Sequence, residues 1–172
     1  MYTTSIDVGT KNLAYVIISD DFQIIEWDVV TIPQTSTKSV IKCLREMFIE
    51  KDITTVLIEK QPSRNVKMRV FENTLGVFFE MSGFPRVLHY SAKYKLGDIG
   101  KTIKGRVNYN LRKKYSIQMC RQFLKENDDL ASYSKLFESH KKKDDLSDCL
   151  LQFISYKSPA MINDLSKCIV TL

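Results

Sequence analysis

The chain has no apolar run approaching the roughly 18 residues that a membrane span requires, so no membrane partner is expected. Its first residues, Met1-Tyr2-Thr3-Thr4-Ser5-Ile6-Asp7, lack the basic and apolar regions of a secretory leader, and none is expected. Four cysteines (Cys43, Cys120, Cys149, Cys168) are scattered without metal-type or redox-type spacing. Reduced, mostly buried thiols in a cytosol-like compartment follow from that. There is no internal repeat, low-complexity segment or disorder-prone tract. The two histidines offer little catalytic promise: His89 falls in an expected strand, and His140 lies beside the basic run Lys141–Lys143. What remains is 172 residues, enough for one domain (1–172) with a real core and too few for two large lobes.

The net charge of +6 is concentrated. Between Lys93 and Lys114 stand Lys93, Lys95, Lys101, Lys104, Arg106, Arg112, Lys113 and Lys114 against the single acid Asp98, which leaves the rest of the chain slightly acidic. A local cationic stretch of this kind is what a polyanion such as DNA meets first. A second basic group, Lys141, Lys142 and Lys143, is expected to meet phosphate.

Periodicity gives the architecture. Strands are expected from about Tyr2 to Asp7, Leu13 to Ile18 and Gln23 to Thr31, joined by tight turns into an antiparallel meander. Helical spacing follows over about 37–50, then a buried strand from Thr54 to Glu59, a helix over about 65–82 and a strand from Arg86 to Tyr90. A loop punctuated by Gly97, Gly100 and Gly105 leads into helices over about 110–126 and 144–155. The order βββ-α-β-α-β-loop-α-α predicts an α/β fold, in which a three-strand meander plus parallel strands forms a mixed central sheet flanked by helices.

Within that frame a few acids stand out by position. Asp7 interrupts an apolar strand just before Gly9, and Glu59 ends the run Val56-Leu57-Ile58 at the carboxyl end of a central strand, where ligands of open α/β sheets tend to bind. Asp145 and Asp148, three apart at a helix start, project from one face. Carboxylates gathered in one site repel unless a cation relieves them. Oxygen-only ligands suit a hard ion, so Mg²⁺ is expected, with Mn²⁺ as a substitute. Two such ions per site can activate a water and stabilise the leaving oxygen of a phosphodiester.

Three blocks in order, Ile6-Asp7-Val8-Gly9-Thr10-Lys11-Asn12-Leu13-Ala14, Ile58-Glu59-Lys60-Gln61-Pro62-Ser63-Arg64 and Lys142-Lys143-Asp144-Asp145-Leu146-Ser147-Asp148, together resemble the RuvC-like Holliday junction resolvases, and within them the poxvirus resolvases. The resemblance spans nearly the whole chain. It implies a ribonuclease H-like fold, a homodimer, and paired symmetric nicking of four-way and branched DNA that leaves 5′-phosphate and 3′-hydroxyl ends. It also implies that Asp7, Glu59, Asp145 and Asp148 are the metal-binding carboxylates, with Asp144 outside the set. A lysine near the scissile phosphate belongs to the pattern; Lys114 is its best match and Lys101 the alternative. Further DNA contacts are expected from Lys11, Asn12, Gln61, Arg64, Lys67, Arg69, Lys101, Lys104, Arg106, Arg112, Lys113, Lys141, Lys142 and Lys143.

The turn Asp7-Val8-Gly9-Thr10 also occurs in actin-like ATPases and sugar kinases, but those duplicate the fold around a nucleotide cleft, and no nucleotide cofactor is expected here. A ribonuclease H proper shares the carboxylates; Glu59-Lys60-Gln61 and the basic loop tilt against it. A non-catalytic junction-binding protein would not need a complete carboxylate set. If the chain is viral, it would act on replicated DNA in the cytoplasm of the infected cell.

Overall fold

The computed structural model describes residues 1–9, 11–33, 36–103 and 108–170. The chain divides into two compact units, Met1–Ser91 and Ala92–Leu172.

The first unit carries the sheet. Strands β1 (Tyr2–Val8), β2 (Asn12–Ser19) and β3 (Ile24–Thr31) form the expected meander, followed by α1 (Thr37–Phe48), β4 (Ile53–Lys60), α2 (Val66–Met81) and β5 (Val87–Ser91). The spatial order is β3-β2-β1-β4-β5. β1 is antiparallel to β2 on one side and parallel to β4 on the other, and β5 continues the parallel half. Central position explains composition: Val56, Leu57 and Ile58 of β4 are all fully buried, so an unbroken apolar run is needed there rather than alternation.

Two helices close the core of this unit. Ser36 caps α1 by accepting from the Ser39 N–H, and Asn65 caps α2 by accepting from the Met68 N–H. Val40, Leu44 and Phe48 recur every four residues and turn one face of α1 inward. Phe48 meets Tyr15 and Phe79 edge-on, each at 5.3 Å between ring centroids. Leu75, Phe78 and Phe79 of α2 are core residues. The outward positions Val66, Val70, Val77 and Met81 are exposed and form an apolar stripe along the same helix.

The second unit is helical: α3 (Ile99–Thr102), α4 (Tyr109–Glu126), α5 (Ala131–Ser139), α6 (Lys143–Lys157) and α7 (Pro159–Val170), with one-turn 3₁₀ segments at Ala92–Tyr94 and Asp128–Leu130. α4 packs against α5, α6 and α7. From Leu146 to Ser155 every residue of α6 is buried except Asp148. The Cys120 and Cys149 side chains are buried, Cys43 is half-buried, and Cys168 is exposed. Burial pushes the Cys120 thiol far up.

Two helices, α5 and α7, are not among those expected from the sequence. α5 is short, with Phe137 its single buried residue, too little for a periodic signal. α7 did carry one, with Pro159 at its first position and buried Ile162 and Leu165 three apart. The expected loop before α4 contains the four-residue α3.

Candidate active site

The four candidate carboxylates fall two in each unit. In the first, β1 and β4 run in parallel register with Ile6 opposite Ile58. Asp7 and Glu59 each follow that pair by one residue, so both side chains leave the same face of the sheet at the carboxyl ends of neighbouring strands. Each is half-buried beside a fully buried isoleucine. Beyond Asp7 the chain reverses tightly: the Gly9 N–H donates to the Asn12 carbonyl at 3.0 Å. A Cβ at Gly9 would lie 2.5 Å from that oxygen, so only glycine fits the turn.

Glu59 has a tethered neighbour. The Gln61 side-chain amide donates to Glu59 Oε2 at 2.9 Å, and the Gln61 backbone N–H donates to Glu72 Oε2 at 2.9 Å. Glu72, buried on the inner face of α2, in turn meets His89 Nδ1 at 2.6 Å through its other oxygen. Sequence reasoning passed over Glu72. Its signal was a charge on the inward face of α2, between Met68 and Leu75.

In the second unit the acids head α6. Asp144 is paired with Lys113, and Asp145 lies 3.7 Å from the Lys142 ammonium. Asp148 accepts from Ser116 Oγ at 2.6 Å, and its second oxygen lies 3.4 Å from the ammonium of Lys95, whose side chain is only 4% exposed. Burial raises the Asp145 carboxyl above the ordinary range, and the like charge of Asp144 adds to it. Burial acts on Asp144 in the same direction, but the hydrogen bond and charge of Lys113 outweigh it and the net shift is downward. Lys113 is raised well above an ordinary lysine, chiefly by its bond to Asp144.

Much of the cationic segment is therefore already engaged. Lys101 bonds Asp98 at 2.6 Å and an Arg112 guanidinium N–H reaches the Ile103 carbonyl at 3.4 Å, while in the second basic group Lys143 donates to the His140 carbonyl at 2.9 Å. Lys114, Lys11, Arg64, Lys67, Arg69 and Lys141 are exposed. The Asn12 side chain accepts from Thr31 across the hairpin at 3.1 Å. Lys104, Arg106, Gly105 and Thr10 lie outside the described residues. Lys95 and Ser116, both on Asp148, were not singled out from sequence. Lys95 was one basic residue among eight, and Ser116 shows itself only by sharing the inner face of α4 with Met119, Cys120 and Phe123.

As a metal site the donors are chemically suitable: carboxylate oxygens throughout, with no thiolate or imidazole among the four. Among the described residues, neither unit by itself gathers three acidic, imidazole or thiol side chains that could hold an ion.

Solved structures of other proteins share this architecture. The fowlpox virus resolvase in complex with Holliday junction DNA is 23% identical with a TM-score of 0.67, covering 91% of this chain and 97% of that one. A second structure, the crystal structure of the fowlpox virus Holliday junction resolvase, is 20% identical with a TM-score of 0.68, covering 91% and 98%. T. thermophilus RuvC in complex with a Holliday junction substrate is 16% identical with a TM-score of 0.52, covering 94% and 97%. At these identities the likeness is one of fold, and the expected ribonuclease H-like fold is borne out. An uncharacterized protein of Acanthamoeba polyphaga mimivirus, L451, is 33% identical over 127 residues; the match covers 63% of this chain and 30% of that relative's length. Residues 1–158 match the family described as Poxvirus A22 protein, and the chain belongs to that family.

Proposed function

We propose that this chain is a Holliday junction resolvase, an endonuclease that nicks four-way and branched DNA in symmetric pairs and leaves 5′-phosphate and 3′-hydroxyl ends. One observation carries the reading. Asp7 and Glu59 leave one face of the sheet at paired strand ends, in a fold shared with the fowlpox virus resolvase solved with Holliday junction DNA.

Asp7, Glu59, Asp145 and Asp148 are the proposed ligands of divalent metal, two Mg²⁺ ions with Mn²⁺ as substitute. When bound, the metal supplies Lewis acidity to the phosphodiester and an activated water. The protein's own residues fix the carboxylates. Strand register sets Asp7 and Glu59, Gln61 orients Glu59, and Ser116 holds one oxygen of Asp148. Lys114, exposed near the start of α4, is the proposed phosphate-facing lysine, with Lys101 the alternative. Lys95, beside Asp148, joins them as a positioning cation.

DNA is proposed to meet the exposed cations Lys11, Arg64, Lys67, Arg69 and Lys141, with selection by branch shape and phosphate placement rather than base identity. A homodimer is proposed, and the exposed stripe Val66, Val70, Val77 and Met81 of α2 is the surface it would bury. Action on replicated DNA in the cytoplasm of infected cells is proposed from the poxvirus family alone.

The test incubates purified protein with a synthetic four-way junction, a linear duplex and an RNA–DNA hybrid, with magnesium or with chelator. Paired nicks in the junction alone, lost with chelator, are expected. Cleavage of the hybrid instead moves the function to ribonuclease H, and junction binding without cleavage moves it to an architectural protein.

A further inference from the structure

We propose that Glu72 is a positioning residue for Glu59, acting through Gln61 and braced by His89; the proposal rests on the reading of Glu59 as a metal ligand. The other buried positions of α2 are Met68, Leu75, Gly76, Phe78 and Phe79, so a carboxylate among them is costly to desolvate unless its bonds compensate. Both of its oxygens are engaged: one meets His89 Nδ1 at 2.6 Å and the other accepts the Gln61 backbone N–H at 2.9 Å. Gln61 is the first residue beyond β4, where the ladder no longer fixes the chain. Glu72 supplies that fixing, and the Gln61 side chain delivers it by donating to Glu59 Oε2 at 2.9 Å.

The brace has its own requirement. Gly76 lies one turn beyond Glu72, and a Cβ there would stand 2.9 Å from His89 Nε2. The imidazole is seated close over the bare Cα of Gly76, and a side chain there would have to displace the ring. Four residues on α2, β5 and the end of β4 are thus committed to one carboxylate orientation. Outer partners of this kind typically change metal affinity or activity about 10- to 100-fold.

The experiment compares wild-type full chain with Glu72→Met, Glu72→Gln and Gln61→Ala, titrating Mn²⁺ by electron paramagnetic resonance and measuring junction binding in chelator. Glu72→Met and Gln61→Ala are expected to bind Mn²⁺ about tenfold more weakly or worse, with junction binding unchanged in Glu72→Met, whose altered side chain is buried. Glu72→Gln, which keeps an acceptor for the Gln61 N–H, is expected to recover most of the affinity. Wild-type Mn²⁺ affinity in cooperatively melting Glu72→Met and Gln61→Ala overturns the proposal. If Glu72→Met does not fold, Gln61→Ala decides alone. If the wild type binds no Mn²⁺, the nuclease reading falls, and the Gln61 side-chain amide signal in ¹⁵N NMR decides the network. Displacement of that signal in Glu59→Ala and Gln61-intact Glu72→Met supports it; an unmoved signal overturns it.

Discussion

The Lys95 ammonium stands 3.4 Å from Asp148 Oδ2, a nearly buried cation set against a carboxylate that is 39% exposed. Ser116 bonds the other oxygen, so Asp148 is held from two sides. Three residues earlier, Asp145 has Lys142 3.7 Å away and like charges nearby. Neighbouring candidate ligands therefore differ in kind: one is supported by its surroundings and the other is opposed by them.

That contrast predicts opposite effects on stability. Asp148→Asn removes the negative charge beside Lys95 and should destabilise the metal-free protein by about 1–3 kcal/mol, less than a fully buried pair because solvent reaches Asp148. Asp145→Asn relieves repulsion and should leave stability unchanged or raised. Thermal melts in chelator check both; equal destabilisation by the two variants would contradict the contrast.

Catalysis should rank the same acids differently. Asp7→Asn, Glu59→Gln, Asp145→Asn and Asp148→Asn are each expected to lower junction nicking by at least about 100-fold, beyond the range of outer partners. Asp144→Asn loses its pair with Lys113 and should cost about tenfold or less. Single-turnover cleavage of a labelled junction in magnesium measures this. A severe Asp144 variant with a mild Asp145 variant would shift the ligand register by one residue.

Junction affinity should fall steeply with salt, by about 10³–10⁵ between 50 and 200 mM if 6–10 phosphates are contacted. Lys141→Ala and Lys67→Ala, at exposed positions, should each flatten the log–log slope by about one. Binding in chelator over a salt series tests this, and unaltered slopes would remove both residues from the interface.

The stripe on α2 gives a prediction on assembly. Val70→Glu and Val77→Glu place charge on exposed positions, so folding should be kept while the proposed dimer dissociates. Sedimentation velocity reads the outcome. A wild-type protein that is monomeric at micromolar concentration would remove the dimer, and a persistent variant dimer would move its interface elsewhere.

A pH effect follows from Arg121 and Glu138, which share two hydrogen bonds of 2.6 and 3.0 Å. The bond to Arg121 holds the Glu138 carboxyl below its ordinary value. A lowered folded pKa means stabilisation is present above the unfolded pKa and fades as pH falls through the folded one. Both side chains are 48% exposed, so the effect is screened to about 0–1 kcal/mol. Denaturant melts should show Glu138→Gln less stable than wild type near neutral pH and equal to it in strong acid; a gap that persists in acid would trace to packing instead.

Sequence alone determined the sheet and the candidate carboxylates. The meander, the buried run Val56-Leu57-Ile58 and the spacing of Asp145 and Asp148 all follow from local periodicity, which is set by backbone geometry and needs no tertiary knowledge. Gly9 belongs with them, since a tight turn is a local steric fact. Only the tertiary structure decided which partners those acids keep. Lys95 is far from Asp148 in sequence, Lys113 from Asp144, and Glu72 from Gln61 and His89. The eight basic residues between Lys93 and Lys114 read as one cationic patch until folding sets Lys95 and Lys113 against acids of α6. The pattern along a chain fixes which face a residue occupies, but what stands opposite that face depends on how the elements pack.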